Sequence, residues 1–254
     1  MHGLAGQVAI VTGGAGAIGR AIGRRLVEAG CAVAILDRDG GAAEAARAEL
    51  AGRGGRVEAA VADIADRDAV VRAVAVTEAR LGPAGILVNN AGWDKVGSFL
   101  DTQPDLWEKI IAVNLHGPLN LHHVVLPGMV ARGRGRVVNI ASDAGRVGSS
   151  GEAVYSACKG GIIAFTKTMA RELAPKINLN VVCPGPTDTP LLESFLGEGA
   201  EGRKVYEGLK RAIPFRRLGQ PDDVAGIVAF LASDEAAFIT GQVISVSGGL
   251  TMVG

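Results

Sequence analysis

The stretch VAIVTGGAGAIG, residues 8–19, decides the fold of this chain. A short apolar run comes first, a glycine-rich turn follows it, and a helical pattern of apolar residues extends over 18–29. Glycine lets the backbone of such a turn approach a ligand closely, and the N–H groups at a helix N-terminus attract negative charge. The stretch therefore predicts a strand, a turn and a helix that together bind a pyrophosphate group.

The rest of the chain repeats this alternation of strand and helix. Apolar β-rich runs predict further strands at 32–36, 57–62, 86–90, 136–142, 178–183 and 242–247. Amphipathic patterns predict helices, among them those over 42–50, 67–80, 105–131 and 155–173. Because the apolar runs are continuous, the strands should be buried on both faces, as in a parallel sheet between two helix layers. We expect a single α/β domain over 1–254, with three layers (α/β/α) and a doubly wound, Rossmann-like parallel sheet.

Composition limits the classes of function that the chain could have. Of its 254 residues 48% are hydrophobic, and 26 basic residues balance 26 acidic ones. A neutral chain without a basic stripe favours neither nucleic acid nor an anionic membrane as a partner. No apolar run approaches the ~20 residues that span a bilayer, and we expect no secretory signal, because a strand pattern begins at once. Cys31, Cys158 and Cys183 lack metal-ligand spacing, so we expect a cytoplasmic protein without a metal.

The second predicted strand ends in Asp37, and Arg38 follows it. A carboxylate at this position can accept both hydroxyl groups of an adenosine ribose and would repel a 2′-phosphate. Arg38 could instead meet such a phosphate, but Ala15 in the glycine turn supplies no second basic group. The pattern therefore favours NAD as the cofactor, although Asp37 taken alone could equally be a loop acid or a helix cap.

Tyr155 and Lys159 lie four residues apart in a predicted helix, and Ser142 ends the apolar run before them. Positions i and i+4 share a helix face, so the lysine ammonium group can lie near the tyrosine phenol. A positive charge there would lower the tyrosine pKa from its ordinary value of about 10 and make the phenol an acid or base usable near neutral pH. The same spacing also arises by chance, as a core tyrosine beside a lysine that extends to solvent.

Further motifs surround this pair in a fixed order: Asn89-Asn90-Ala91-Gly92, Asn114, Ser142, Tyr155-x-x-x-Lys159 and Pro184-Gly185. With them the chain resembles the short-chain dehydrogenase/reductase family over essentially its full length. The glycine motif of that family, T-G-x-x-x-G-x-G, places its middle glycine at Ala17, where alanine is also found in the family. The resemblance implies an NAD-dependent enzyme that transfers hydride from a secondary alcohol.

The resemblance also implies a role for each motif residue. Tyr155 would be the general acid or base, Lys159 would lower its pKa and hold the nicotinamide ribose, and Ser142 would bind the reacting oxygen. Asn114 would bind a water that links Lys159 to solvent, or would be a satisfied polar residue that interrupts its helix. The implied cofactor-binding residues are Gly13, Gly16, Ala17, Ile18, Gly19, Asp37, Arg38, Asp63, Ile64, Asn90, Ala91, Gly92, Tyr155, Lys159, Pro184, Thr187 and Thr189.

Within the family, several segments resemble enzymes that oxidise alicyclic 2-hydroxyacyl-CoA thioesters: NNAGWD, HHVVLPGMV, NIASDAGRVGSSGEAVYSACKGG, VVCPGPTDTPLL and FITGQVISVSGGLTM. This implies 2-hydroxycyclohexane-1-carboxyl-CoA as the substrate, held by Trp93, Val147 and Glu152 beside Ser142 and Tyr155. A 3-oxoacyl-thioester reductase and a general secondary-alcohol dehydrogenase are alternative interpretations. A nucleotide-binding scaffold without catalysis is a remote one, because it would usually lack the serine, the tyrosine or the lysine.

Residues 191–217 fit the strand and helix pattern less well, and we expect them to form a helical flap over the site. Its basic residues could meet the phosphates of CoA, although a solvated face is the favoured interpretation for Arg203, Lys204, Lys210, Arg211, Arg216 and Arg217. The resemblance further implies a homotetramer, in which the helices over 105–131 and 155–173 commonly pair between subunits.

Overall fold

The structure is a computed structural model that describes residues 1–196 and 199–253. In the described residues the strands are β1 Val8–Thr12, β2 Ala32–Asp37, β3 Val57–Val61, β4 Ile86–Asn89, β5 Gly135–Ile140, β6 Ile177–Pro184 and β7 Val243–Val246. They form one parallel sheet in the order β3-β2-β1-β4-β5-β6-β7. The predicted Rossmann-like parallel sheet is therefore confirmed, and every predicted strand overlaps an observed one.

Helices connect the strands and cover the sheet. They are α1 Ala17–Glu28, α2 Gly40–Ala51, α3 Arg67–Leu81, α4 Pro104–Ile111, α5 Gly117–Arg132, α6 Ala144–Val147, α7 Ala153–Leu173, α8 Pro190–Leu196, α9 Gly199–Ala212 and α10 Pro221–Ala232. Short 3-10 turns lie at Phe99–Asp101 and Asp234–Ala236. None of these described helices is long and apolar enough to cross a lipid bilayer.

The sequence predicted one continuous helix over 105–131, and the structure divides this segment. A π-helical turn, Ala112–His116, separates α4 from α5 and contains the buried Asn114. Such a turn inserts one residue into the helical repeat and is often found at functional sites. Apolar periodicity alone did not reveal it, because apolar residues continue on both sides of the turn.

The sheet is buried on both faces, as its continuous apolar strands require. On one face α1 and α10 pack together, and Leu26 and Val228 are fully buried there. On the other face α5 contributes Leu121 to a second cluster. The neighbouring β5 residues Val137 and Val138 belong to these two opposite clusters, because successive side chains of a strand point to opposite faces.

The order of the strands reverses between β1 and β4, which are adjacent at the centre of the sheet. In open α/β sheets ligands bind in the crevice beyond the carboxyl ends of the strands at such a point. The Thr12 hydroxyl joins the two strand ends there, since it accepts the N–H groups of Asn90 at 3.0 Å and Ala91 at 3.1 Å. The loops after β1 and β4 thus lie side by side and form the floor of a potential site.

Candidate active site

A cleft of about 310 Å³ opens at this reversal point. Many of the predicted cofactor-binding residues line it, namely Gly13, Gly16, Ala17, Ile18, Gly19, Asp37, Arg38, Asp63, Ile64, Asn90, Ala91, Gly92 and Thr189. Its wall is completed by Leu36, Ala62, Trp93, Val113, Pro190 and Leu191. Apart from Trp93, these additional residues were not predicted, although each lies next to a predicted residue or begins the expected flap.

The glycine turn leaves no room for side chains at two positions. Gly13 has a φ of 58°, and a Cβ added to it would lie 2.8 Å from the Ala91 Cα atom. A Cβ at Gly19 would lie 2.2 Å from the Gly13 carbonyl oxygen. The turn can therefore present its backbone to a ligand, as the pyrophosphate of a dinucleotide requires.

Asp37 lies at the end of β2 on the wall of the cleft, and its carboxylate is held by backbone groups. The Ala15 N–H donates to one oxygen at 3.2 Å, and the Asp39 N–H donates to the other at 3.2 Å. These bonds fix a negative charge next to the glycine turn, while the neighbouring Arg38 is exposed. The glycine turn and this carboxylate together fit a dinucleotide.

Ser142, Tyr155 and Lys159 come together although they lie on different elements. Ser142 follows β5, and its hydroxyl interacts with the Tyr155 phenol and accepts the Ala144 N–H at 3.1 Å. The Lys159 ammonium group lies 5.4 Å from the centroid of the Tyr155 ring. It also donates to the Ile140 carbonyl at 3.0 Å, and the lysine is only 3% exposed. The ammonium group therefore lies over the ring face in a buried position.

The structure reverses the expected direction of the Tyr155 pKa shift. Burial raises the pKa of the phenol, the Glu152 and Asp94 carboxylates raise it further, and the Ser142 hydroxyl lowers it only in part. The lysine was expected to lower this pKa, but burial lowers the pKa of Lys159 itself to about 8. Nothing in the sequence indicates this outcome, because burial and the two nearby carboxylates arise only in the folded chain.

Asn114 is fully buried, and its side-chain amide binds backbone groups. Its N–H₂ group donates to the Trp93 carbonyl at 2.6 Å and to the Ile110 carbonyl at 2.9 Å, and its oxygen accepts the Trp93 N–H at 3.3 Å. These contacts agree with the interpretation of a satisfied polar residue that interrupts its helix. The alternative, a water bridge to Lys159, could use only the amide oxygen, because both amide hydrogens are already donated.

Gly92 lies between Asn114 and Lys159. A Cβ at this position would lie 3.1 Å from the Asn114 amide oxygen and 3.4 Å from the Lys159 ammonium nitrogen. The lack of a side chain thus lets the loop after β4 pass close to both groups. The loop is thereby fixed against the π-helical turn and the lysine.

Four predicted cofactor residues do not line the cleft: Tyr155, Lys159, Pro184 and Thr187. Pro184 is buried at the end of β6, and its carbonyl accepts the Asp143 N–H at 3.0 Å. Thr187 is 7% exposed, and its hydroxyl donates to the Gly185 carbonyl at 2.9 Å. Thr189 does line the cleft, and its hydroxyl accepts the Leu192 N–H at 3.3 Å in the first turn of α8. Pro184 and Thr187 therefore shape the loop after β6 and do not form the wall of the cleft.

The predicted substrate residues are separated in the structure. Trp93 lines the cleft, and the Lys109 ammonium group lies 3.9 Å from the centroid of its ring. Val147, in α6, is 57% exposed and does not line the cleft. Glu152 lies beside Asp94, the residue that follows Trp93 in the loop after β4.

The expected flap corresponds to α8 and α9, and its residues 197–198 lie outside the described residues. Several of its basic side chains bind groups of the protein itself. Lys210 pairs with Glu207 at 3.1 Å, Arg217 donates to Asp223 at 2.9 Å, and Arg216 donates to the Arg211 carbonyl. These contacts fit the interpretation of a solvated face. Across the described ranges, no cluster of His, Cys, Asp and Glu side chains could hold a metal ion.

Comparison with known proteins finds relatives along almost the whole chain. A family model described as enoyl-(acyl carrier protein) reductase matches residues 13–251. The acetoacetyl-CoA reductase of Shinella zoogloeoides is 42% identical over 245 residues, which is 96% of this chain and 98% of the relative.

Solved structures agree with this likeness. A 3-oxoacyl-[acyl-carrier protein] reductase from Brucella melitensis with bound NAD has a TM-score of 0.89 and 35% identity, and the match covers 97% of this chain and 92% of the other. A single-residue variant of the actinorhodin polyketide ketoreductase with NADPH has a TM-score of 0.92 and 34% identity, over 98% of this chain and 99% of the other. Proteins similar to this chain thus bind either form of the nicotinamide cofactor.

Proposed function

The chain belongs to the short-chain dehydrogenase/reductase family, and from that premise we propose that it interconverts a 3-oxoacyl thioester and the corresponding 3-hydroxyacyl thioester. It is an oxidoreductase that acts on a hydroxyl or keto group. The observation that carries the proposal is the convergence of Ser142, Tyr155 and Lys159 near a cleft that fits a dinucleotide. The names of the relatives supply the substrate class.

These relatives support the 3-oxoacyl-thioester alternative better than the alicyclic substrate that the sequence segments implied. Acetoacetyl-CoA and 3-oxoacyl-[acyl-carrier protein] carry a ketone that is β to a thioester, and both are named as substrates of relatives. In 2-hydroxycyclohexane-1-carboxyl-CoA the hydroxyl group is also β to the thioester. It therefore remains a second candidate within the same chemical class, favoured by the apolar ring of Trp93 on the wall of the cleft.

The residues of the chain supply binding and the proton. Ser142 and Tyr155 hold the ketone oxygen between their hydroxyl groups, and donors placed where negative charge develops stabilise the transition state. The Tyr155 phenol then gives its proton to this oxygen, and in the oxidation direction it takes the proton back. Lys159 provides a fixed positive group over the ring, which favours the phenolate left after the transfer. When bound, the nicotinamide would supply or accept the hydride.

We propose NAD as the preferred cofactor. The argument rests on Asp37, whose carboxylate is fixed beside the glycine turn and would repel the 2′-phosphate of NADP. The glycine turn would hold the pyrophosphate, and Asp63 and Ile64 line the part of the cleft next to Asp37, where the adenine would lie.

We further propose a single catalytic domain, a homotetrameric assembly and a cytoplasmic location.

The test of the proposed function compares matched substrates. Acetoacetyl-CoA, 2-ketocyclohexane-1-carboxyl-CoA, acetoacetate and cyclohexanone are each reduced with NADH, and kcat and KM are measured. We expect the two thioesters to have the higher kcat/KM, with an effect on kcat as well, because binding energy from the remote CoA group can be used at the reacting carbon. Equal efficiency with the free ketones would contradict the thioester assignment and leave the dehydrogenase activity standing.

A Trp93→Ala variant distinguishes the two thioester candidates. If its kcat/KM falls more for 2-ketocyclohexane-1-carboxyl-CoA than for acetoacetyl-CoA, the result would favour the alicyclic candidate.

A further inference from the structure

Ser142 is held by the short helix that follows it. The helix α6 spans only Ala144–Val147, and its Ala144 N–H donates to the Ser142 hydroxyl oxygen at 3.1 Å. The Gly145 N–H donates to the Ser142 carbonyl at 3.0 Å. A single helical turn is not stable by itself, because its nucleation costs more than one turn of hydrogen bonds contributes. The position of the Ser142 hydroxyl therefore depends on the contacts that anchor α6 to the rest of the molecule.

One anchor of α6 is its close packing against α7. A Cβ added to Gly145 would lie 2.7 Å from the Lys159 carbonyl carbon and 2.8 Å from the Gly160 nitrogen. The lack of a side chain thus lets the two helices approach at backbone distance. Packing of this kind resists movement of α6 towards α7, and movement away from α7 must be resisted by other contacts.

A series of hydrogen bonds joins α6 to β7. Asp143 occupies the N-cap position of α6, but its side chain does not cap the helix. Its carboxylate instead accepts the Ser245 hydroxyl, whose oxygen accepts the Arg146 guanidinium group at 2.9 Å. A serine hydroxyl has one hydrogen to donate, so Ser245 serves both neighbours in this arrangement. We call these three residues the Asp143–Ser245–Arg146 bridge.

The bridge has further contacts at both of its ends. The Arg146 guanidinium group also donates to the Val253 carbonyl at 2.7 Å. At the other end Asp143 is 6% exposed, and its Oδ2 atom has no hydrogen-bond donor among the described residues. Hydrogen bonds to a carboxylate are stronger than those between neutral groups, and more so where water is scarce. The bond from Ser245 therefore holds the residue that directly follows Ser142.

We propose that the Asp143–Ser245–Arg146 bridge positions the Ser142 hydroxyl for the oxygen of the reacting ketone. The inference rests on the proposed function, in which Ser142 binds this oxygen. An error of about 1 Å in the placement of a reacting group can lower a rate by about 10²-fold. Asp143, Ser245 and Arg146 act through Ser142 and are positioning residues.

The kinetics of paired variants test whether the bridge acts through Ser142. With acetoacetyl-CoA and NADH, kcat and KM are measured for the parent, Arg146→Ala, Ser142→Ala and the variant that carries both changes. The matched control is Arg132→Ala, which removes another arginine that donates to a backbone carbonyl, that of Ala84. It is made in the parent and in the Ser142→Ala background, and circular dichroism checks that every variant is folded.

We expect Arg146→Ala to lower kcat by about 10-fold or more, with little change in KM, since the hydroxyl that meets the reacting oxygen is misplaced. In the Ser142→Ala background this hydroxyl is absent, so the change at Arg146 should lower kcat no further, as for residues that act as a unit. Arg132→Ala should leave kcat unchanged in both backgrounds. Equal falls in kcat for Arg146→Ala in the two backgrounds would overturn the proposal.

Ser245 supplies a second test, which depends on one hydroxyl group. Ser245→Ala removes the donor to the Asp143 carboxylate and should lower kcat as Arg146→Ala does. Ser245→Thr keeps a hydroxyl group and should restore most of the kcat that Ser245→Ala loses. A Ser245→Ala variant with the kcat of the parent would contradict the proposed role of the bridge.

Hydrogen–deuterium exchange gives a readout that needs no activity. Peptides that cover residues 141–148 should lose protection in Arg146→Ala and in Ser245→Ala, because α6 is released from β7. Peptides from α4 should exchange as in the parent. Unchanged protection over 141–148 in both variants would show that the bridge does not hold the turn, and the proposal would fail.

The outcomes separate this inference from the proposed function. If the parent reduces cyclohexanone but no thioester, the proposed substrate fails, and the same set of variants is measured with cyclohexanone. If thioesters are reduced, but Arg146→Ala lowers kcat equally with and without the Ser142 hydroxyl, the inference fails alone.

Discussion

At the scale of single residues, the proposed preference for NAD depends on Asp37. Because its carboxylate is fixed beside the glycine turn, replacement by the neutral Asp37→Ser should remove the repulsion of a 2′-phosphate. We expect the wild-type ratio of kcat/KM for NADH over NADPH to exceed one and to narrow or reverse in the variant. The measurement is initial rates with both cofactors at one ionic strength. A wild-type enzyme that uses both cofactors equally would show that this carboxylate does not select.

The Tyr155 phenol is the proposed proton donor, and its removal should affect turnover rather than binding. Tyr155→Phe should lower kcat by about 10²–10⁴-fold, the usual contribution of a positioned acid or base. The dissociation constant of NADH, measured by fluorescence titration, should change little. Tyr206→Phe, which removes a phenol from α9, is the matched control and should retain the parent rate. Near-normal turnover in Tyr155→Phe would place the proton donor elsewhere.

Residue identities in the site followed from motif order, but their electrostatics did not. The glycines and Asp37 line the cleft as predicted. Their place could be predicted because strand ends and helix starts can be located from the sequence. The direction of the Tyr155 pKa shift could not be predicted, since it depends on burial and on Asp94, a residue far away along the chain. Thr187 illustrates the same limit, because its hydroxyl donates a hydrogen bond to the carbonyl of Gly185, only two residues away.

At the scale of elements, the junction of the glycine turn with α1 is closely packed. A Cβ at Gly19 would lie 2.2 Å from a backbone oxygen, whereas a Cβ at Gly208 in α9 would meet nothing within 4 Å. Gly19→Ala should therefore lower the free energy of unfolding by roughly 1–3 kcal/mol through overpacking. Gly208→Ala should leave it unchanged or raise it by about 0.4–1 kcal/mol, since alanine favours the helix. Urea denaturation of the two variants checks the contrast, and equal effects would contradict it.

Element types were predictable from periodicity, and element interruptions were not. Every strand of the sheet came from an apolar run that the sequence displays. The interruption of the predicted helix over 105–131 could not be predicted from its apolar pattern. The π-helical turn is stabilised by Asn114, whose amide binds the backbone of Trp93 in a distant loop. A helix that departs from regular geometry to make a tertiary contact leaves little trace in its own apolar pattern.

At the scale of the whole molecule, the buried Lys159 should reduce stability. Its pKa in the folded chain is about 8 against 10.5 ordinarily, so the unfolded chain binds more protons between these values. The free energy of unfolding therefore falls as the pH decreases from 10.5 to 8 and stays low below that. Lys159→Met should raise it by roughly 1–3 kcal/mol at neutral pH, after the loss of the bond to Ile140 is subtracted.

Urea denaturation of this variant and the parent, at neutral and at alkaline pH, measures the effect. The gain should shrink as the pH approaches 10.5, while activity is lost at every pH. A Lys159→Met protein that is less stable than the parent at neutral pH would show that the lysine stabilises the fold instead. Such a gain in stability with a loss of activity is typical of residues retained for function.

The assembly proposed above is the second prediction at this scale. Partly exposed apolar residues on α5 and α7, such as Val124 and Ile163, fit contacts with another subunit. We expect a tetramer with two-fold axes. Light scattering at micromolar concentration measures the mass, and a monomer at that concentration would contradict the expectation.

The packing of α1 against α10 has a consequence for folding of the protein during its synthesis on the ribosome. The helix α1 packs against α10, which follows it by about two hundred residues in the chain, and Arg24 contacts Asp222 across this interface. The nascent chain must therefore leave one face of its N-terminal half uncovered until α10 has been synthesised. Contacts between such distant segments slow folding and expose apolar surface to aggregation. Demand for chaperones during translation should accordingly be greatest before α10 emerges.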